Sequence, residues 1–413
     1  RATASSRVSA RGRARPAPAR RARPGLLTLT ALVLLTAAIA GLPGAPSPTP
    51  DALVTPAAGA ETLPAGFQDE IAIGGLTDPT VVRFSPDGRV FVAEKSGLIK
   101  AFDSLDDHTP TVVADLRTQV HNYWDRGLLG FNLDPQFPGV PYLYVLYARD
   151  ATVGGSAPHW GTAGQTDDPC PTPPGPLTNG CVASLRLSRL ELQGTTVGPE
   201  QVLVDGWCQQ YPGHSAGDIE FDPAGHLYAS AGDGSSFTFN DYGQFGSPPN
   251  PCGDPPTAPG TPLAAPTTQG GSLRAQDART TGDPLGLDGS VIRVNRTTGA
   301  GVAGNPWAAR SGANWKRIVA YGLRNPFRMV FKPGTDDLYL ADVGSGAFEE
   351  VDVLANPGGN ADNFGWPCYE GTARMPAYDG MDLDLCESLY AQPSADSTPT
   401  FSYRHSDHVV PGE

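Results

Sequence analysis

Several signatures that would place a 413-residue chain at once are missing here. The body of the chain has no long helical periodicity, which argues against a helical domain. No Cys-x-x-Cys occurs, which argues against a thiol redox motif or a zinc ribbon. No Gly-x-Gly-x-x-Gly opens a helix, no Gly-x-x-x-x-Gly-Lys-Ser/Thr is present and no Gly-x-Ser-x-Gly elbow is evident, so nicotinamide, phosphate-loop and serine-hydrolase readings lose support. Basic charge is scarce once the first sixty residues are set aside. The remainder holds 21 Lys and Arg against 42 Asp and Glu, a net of −21. Such a surface disfavours nucleic acid and anionic membranes. It is compatible with binding a cation, although solubility alone accounts for most of the charge.

Glycine (50) and proline (42) are abundant, and frequent turns with short strands suit an all-β protein. The first residues read differently. Arg1 to Arg23 carries eight Arg and no acid, Leu26 to Gly41 is an apolar run, and a Pro/Ala-rich segment reaches Ala58-Gly59-Ala60. Residues 1–60 therefore read as a secretory signal and leader, with residues 61–413 as the folded domain. The alternative is an uncleaved membrane tether, for which the run is short. Arg20-Arg21 is a weak match to a twin-arginine signal. The expected location is secreted or extracytoplasmic. The chain lacks an initial Met and stops at Pro411-Gly412-Glu413, and the expectation is a fragment at both ends.

Six cysteines, at 170, 181, 208, 252, 368 and 386, suggest disulfides in an exported chain. Of the fifteen possible pairings, 170–181, 208–252 and 368–386 are preferred because each closes a Pro/Gly-rich insertion.

A strand–turn–strand pattern recurs. Phe327 to Phe331 alternates, breaks at Lys332-Pro333-Gly334, and resumes at Leu338-Tyr339-Leu340. The same pattern flanks Pro86-Asp87-Gly88, follows Gly127, and spans Gly217 to Ser230. An aromatic or Leu anchor recurs at 84, 133, 221 and 331, with separations of 49, 88 and 110 residues. Phe67 to Ile73 reads as the first strand. The longest gap is expected to hold an extra unit ending in Ser290 to Val294. Two stretches, Gly154 to Asn179 and Ser235 to Pro284, read as lids or stapled surface loops. Repeats of about 40–50 residues with about four strands each indicate a β-propeller, with a β-sandwich as the competing fold.

Loop residues at strand ends are the candidates for chemistry. His214 precedes a repeat strand and has the residue type of a general base, while a structural or surface His is the plain alternative. Asp233, in Ala231-Gly232-Asp233-Gly234, can orient His214, bind a cation, or simply make an Asp-Gly turn. Arg324-Asn325 can hold a carboxylate. Gly344-Ser345-Gly346 with Glu349-Glu350 offers carbonyls and carboxylates of the kind calcium takes, without EF-hand spacing.

These residues resemble the glucose/sorbosone dehydrogenase family, the soluble sugar dehydrogenases dependent on pyrroloquinoline quinone (PQQ). The resemblance covers roughly residues 64 to 405. It is carried by Arg126 to Gly130, His214 to Gly217, Tyr228 to Gly234, Gly322 to Pro326, Asp342 to Gly344 with Glu349-Glu350-Val351, and Asn363 to Pro367. It implies a six-bladed propeller, incomplete here at its C-terminal end, with PQQ and Ca²⁺ as cofactors and an aldose oxidised at its C1 hydroxyl to the lactone. His214 would be the base during hydride transfer, supported by Asp233. Arg324 and Asn325 would contact the quinone, with Arg324 near its reactive carbonyl. Carbonyls of Gly344 and Ser345 would hold Ca²⁺. Glu349, Glu350 and the Phe364 carbonyl would form a second, structural Ca²⁺ site.

The sequence departs from the family in three places. Asp125 stands at about the position of a Gln near the quinone, Ser345 replaces a Pro, and the family's further Lys and two Arg on PQQ lie beyond this chain. The implied partners are a sugar and an unknown electron acceptor. Two readings from other classes remain, a non-catalytic carbohydrate- or protein-binding propeller and a calcium-dependent propeller lactonase.

Overall fold

The computed structural model describes residues 66–281, 284–392 and 394–407. The leader 1–60 and the tail Pro411–Glu413 lie outside the described residues. Contacts divide the chain between Gln68 and Asp69, and every strand and helix among the described residues belongs to the unit from Asp69 onward. No helix among the described residues is long and apolar enough to cross a membrane.

Among the described residues the fold is an all-β, propeller-like arrangement of four large sheets, antiparallel except for one short parallel pair, with a two-stranded ribbon besides. The first is a meander of β1 (Pro79–Phe84), β2 (Val90–Glu94), β3 (Leu98–Phe102) and β4 (Thr111–Asp115). The second holds β5 (Leu128–Leu133), β6 (Tyr142–Arg149), β7 (Ala183–Gln193), the short β8 (Thr196–Val197) and β9 (Gln201–Gln209), with β9 paired to β7. The third runs β10 (Ala216–Phe221), β11 (Leu227–Ala231), β12 (Ser290–Val294) and β13 (Ile318–Tyr321). The fourth begins with β14 (Pro326–Phe331), β15 (Leu338–Asp342) and β16 (Phe348–Leu354). Asp362–Asn363 (β17) joins the third sheet parallel to β13, Tyr369–Glu370 (β18) pairs with Ala373–Arg374 (β19), and Phe401–Arg404 (β20) completes the fourth sheet. The helices α1 (Pro376–Asp379) and α2 (Asp384–Tyr390) are short.

The first strands of successive sheets pack in series, β1 on β5, β5 on β10 and β10 on β14. The anchors Phe84, Leu133, Phe221 and Phe331 are the last residues of these four strands. The repeat thus marks one structural position four times.

The core lies between sheets. On β6, Leu143, Val145 and Tyr147 face the first sheet's Phe91 and Ile99, while Tyr144 and Leu146 face the third sheet's Ile219 and Ile292. Both faces are covered, so the strand is a continuous apolar run rather than an alternating one. Tyr228, Val291 and Val319 meet Met329, Leu338 and Leu340 between the third and fourth sheets. The outer faces of the series differ. Phe84 on β1 is 63% exposed and Val330 on β14 is 59% exposed.

Two sequence expectations fail. Phe67 to Ile73 forms no strand, because it has no ladder partner among the described residues, and Phe67 and Ile71 are exposed. Ser290 to Val294 does not end an extra unit. It is the third strand of the third sheet, and the long gap is a single blade interrupted between β11 and β12. The cysteines pair as 170–181, 208–252 and 368–386, as expected, with Cα–Cα separations of 6.0, 5.7 and 5.2 Å.

Candidate active site

A hairpin brings the start of its first strand beside the end of its second. His214 precedes β10 and Asp233 follows β11, and the His214 Nδ1 lies 2.7 Å from the Asp233 Oδ1. Arg324 precedes β14 and Gly344 follows β15, the same ends of the next hairpin. The two hairpins are pinned together. The Asp233 N–H donates to the Arg324 carbonyl at 2.9 Å, and the Ser230 hydroxyl donates to the Pro326 carbonyl at 2.7 Å. Gly232 is required by close approach, since a Cβ there would collide with the His214 carbonyl. His214 itself has φ +45°, a conformation that non-glycine residues adopt only when their surroundings hold them in it.

Asp233 is fully buried, yet every oxygen is used. Oδ1 also accepts the Ser235 N–H at 2.9 Å, and Oδ2 accepts the Trp366 indole N–H at 2.7 Å. Burial pushes its pKa up. The His214 ring, its hydrogen bond and the Arg324 guanidinium outweigh burial and hold the carboxyl at about 2. An ionised Asp233 assigns the imidazole proton to Nδ1 and leaves Nε2 as the acceptor.

Arg324 is buried, its guanidinium lies 5.4 Å from the Trp366 ring, and it makes no ion pair among the described residues. One amino group donates to the carbonyls of Val343 and Gly344, at 3.0 and 2.7 Å, while Nε has no partner. It borders a cavity of about 170 Å³ whose other walls include Phe237, Ser345, Trp366 and Tyr378. Asn325 is half-buried, with its N–H on the Asp342 carboxylate at 2.6 Å. Asp125 is exposed, and its carboxylate lies 3.4 Å from the His214 N–H.

The loop after β15 is wrapped around Glu370. Its Oε1 accepts the N–H groups of Ser345, Gly346, Ala347 and Phe348 at 2.8 to 3.2 Å. Burial opposes its ionisation, but these four donors win and lower its pKa. With the N–H groups turned to Glu370, the Gly344 carbonyl is free to accept a cationic group, and here accepts Arg324.

Glu349 and Glu350 are not brought together. Neighbours on a strand face opposite sides of the sheet, and Glu349 accepts from the Gly344 N–H and pairs with His405. Glu350 instead joins Asp342 and Asp352, with one carboxylate oxygen from each lying within 4.8 Å of the others. Both oxygens of Asp352 are buried without a partner among the described residues. Burial and the neighbouring carboxylates raise the Asp352 pKa to about 9, and burial first raises Asp342 and Glu350 to about 7. Phe364 is buried in the apolar cluster between the third and fourth sheets and donates its N–H to the Tyr321 carbonyl at 2.9 Å.

Sequence reasoning missed Trp366 as a partner of Asp233, Glu370 as the organiser of the 344–348 loop, and Asp342 with Asp352 as partners of Glu350. Asp342 and Asp352 carried a readable signal, because alternate positions on paired strands share a face. Gly213-His214-Ser215-Ala216-Gly217 also spells a hydrolase Gly-x-Ser-x-Gly pattern. That elbow needs a strand-to-helix turn, whereas Ser215 leads into β10 and its buried hydroxyl has no partner among the described residues.

The sequence model of the glucose/sorbosone dehydrogenase family matches residues 76–244 and 267–396. The chain belongs to the glucose/sorbosone dehydrogenase family. Among curated proteins, the HIPL2 protein of Arabidopsis thaliana is 26% identical over 327 residues, 73% of this chain and 40% of the relative. The chain therefore spans about two-fifths of that relative's length. Among solved structures, an oxidoreductase of Thermus thermophilus described as a glucose dehydrogenase is 22% identical, with TM-score 0.51 over 81% of this chain and 72% of that one. The PQQ-bound aldose sugar dehydrogenase of Streptomyces coelicolor is 17% identical, with TM-score 0.50 over 81% and 70% of the two chains. At these identities the likeness is one of fold. His214, Asp233, Arg324 and Gly344 all fall within the family match.

Proposed function

We propose that this chain is part of an exported, PQQ- and Ca²⁺-dependent dehydrogenase that oxidises an aldose at C1 to its lactone. The observation that carries the reading is the His214–Asp233–Trp366 relay beside a buried arginine without a carboxylate partner. Asp233 holds the imidazole with Nε2 free, and Nε2 takes the proton of the sugar's C1 hydroxyl as its hydride leaves. PQQ, when bound, supplies the two-electron acceptor.

The donor set suits that group. Arg324 is a buried cation with an unused N–H, matched to an anionic, oxygen-rich ligand, and Asn325 lies beside it. The cavity of about 170 Å³ is below the roughly 300 Å³ of ordinary cofactor pockets, so it would hold only part of the group in the arrangement seen here. The Gly344 carbonyl, now on a guanidinium, and that of Ser345 suit calcium. Asp342, Glu350 and Asp352 form a second cation site in place of a Glu349–Glu350 pair, since they are three buried acids within reach of one another and both Asp352 oxygens lack a partner among the described residues.

The exposed faces at Phe84 and Val330 support further blades closing the ring to six. Cleavage after residue 60 would release residues 61–413 as this domain, and the electron acceptor is open. The test uses the full-length protein with PQQ and Ca²⁺, following dye reduction over a panel of aldoses. Reduction with aldoses supports the reading. No reduction and no PQQ-induced absorbance change would overturn it, and sugar-lactone hydrolysis without PQQ would replace it with a lactonase.

A further inference from the structure

A second cavity, of about 260 Å³, opens at the same end of the sheets as His214. Its walls come from equivalent loop positions. Asp78 precedes β1, Lys95 follows β2, and Asn122, Tyr123 and Trp124 precede β5, with Asp167 contributed by the first insertion. No role in the dehydrogenase chemistry falls to any of these residues.

Two features define what the cavity can hold. The first is aromatic. Tyr123 and Trp124 stack at 5.5 Å and 20°, Trp124 lies 5.6 Å from Phe237, and Phe237 lies 6.4 Å from His214. Trp124 is 36% exposed and Phe237 is 52% exposed, so the line of rings from the proposed base to the cavity is open to solvent. Trp124 has φ +52°, so the backbone before β5 holds a conformation unusual for a bulky residue.

The second feature is polar. The Lys95 ammonium sits in the field of Asp78, Asp125 and Asp167 without a direct hydrogen bond to any of them, Asp78 and Asp167 are exposed to solvent, and the buried Asn122 Oδ1 has no partner among the described residues. Cation, carboxylates and amide converge on one space beside a flat apolar wall. An inorganic anion would meet two carboxylates, and a metal ion would meet the ammonium. A neutral ligand with many hydroxyls and an apolar ring face satisfies all of them, and that is a pyranose.

Resting on the dehydrogenase reading, we propose that this cavity is a second saccharide subsite. It takes the ring joined to the one oxidised at His214, with Trp124 as its stacking platform and Lys95, Asn122 and Asp167 bonding its hydroxyls. Because the reacting ring presents a free C1 at His214, the ligand class is a reducing disaccharide or longer saccharide, attached through its non-reducing neighbour.

The test titrates the full-length protein, without PQQ, with maltose and with glucose, reading heat and tryptophan fluorescence. Maltose is expected to bind about tenfold more tightly, the equivalent of one good aromatic contact. Trp124→Ala should bring the maltose-to-glucose ratio to about one, and Lys95→Met should lower it, with melting curves confirming both folds. Equal affinities in the wild type, or a preference that survives both substitutions, would overturn the subsite. Turnover separates the two proposals. Preferential maltose binding with no oxidation of either sugar leaves the subsite and removes the dehydrogenase. Oxidation of both sugars with equal affinity does the reverse.

Discussion

Asp233 is the residue on which the proposed chemistry turns, because it fixes the His214 tautomer while itself held by Trp366 and Ser235. Asp233→Asn keeps the shape and loses the charge, so kcat should fall by roughly 10² to 10⁴ while sugar affinity changes little. Steady-state kinetics checks the split, and an unchanged kcat would remove Asp233 from the mechanism. Trp366→Phe removes one donor and should cost about tenfold. Asp288 makes a separate prediction about stability. It is buried and accepts the Gln209 amide at 2.7 Å. Burial raises its pKa to about 8, against the pull of Arg274 and Gln209. The unfolded value is about 3.9, so from pH ~4 to ~8 the folded state keeps a proton that the unfolded state releases, and stability falls as pH rises. Asp288→Asn removes that titration. Its melting temperature should exceed the wild type's at pH 8 and match it near pH 4.

The strand–turn–strand elements were legible in the sequence because each repeats a local pattern. Phe84, Leu133, Phe221 and Phe331 mark the same strand end in four sheets. The sequence could not show that Ser290 to Val294 pairs back across a long insertion to β11, because that pairing is set by packing rather than by local pattern. Phe67 to Ile73 shows the converse, since a strand-like pattern without a neighbour forms no ladder. The site divides in the same way. His214, Asp233, Arg324 and Gly344 sit in short motifs at strand ends. Trp366 reaches Asp233 from 133 residues away, and no spacing marks that contact. The insertion between β11 and β12 is tied to β9 by Cys208–Cys252, which closes a 44-residue separation. Chain entropy assigns such a link roughly 4 kcal/mol, so Cys208→Ala with Cys252→Ala should lower the denaturation midpoint and expose the insertion to protease first. An unchanged midpoint would show that packing alone holds the loop.

In the whole molecule, sheets two and three are covered on both faces while β1 and β14 leave apolar side chains in solvent. If further blades close the ring, residues 61–413 alone should bind hydrophobic dye and self-associate, and Phe84→Ser with Val330→Thr should reduce both, as light scattering would show. The acidic trio of Asp342, Glu350 and Asp352 lies between the third and fourth sheets, so Ca²⁺ should raise the melting temperature and Asp352→Asn should abolish that shift. The central claim is that His214 removes a sugar proton as electrons pass to a bound quinone. The most direct test is a single-turnover measurement on the full-length protein loaded with PQQ and Ca²⁺, mixed with an aldose while quinone absorbance is followed. The account predicts that the wild type bleaches the quinone rapidly and that His214→Ala binds PQQ but bleaches it at least ~100-fold more slowly. Equal rates for the two proteins would contradict it.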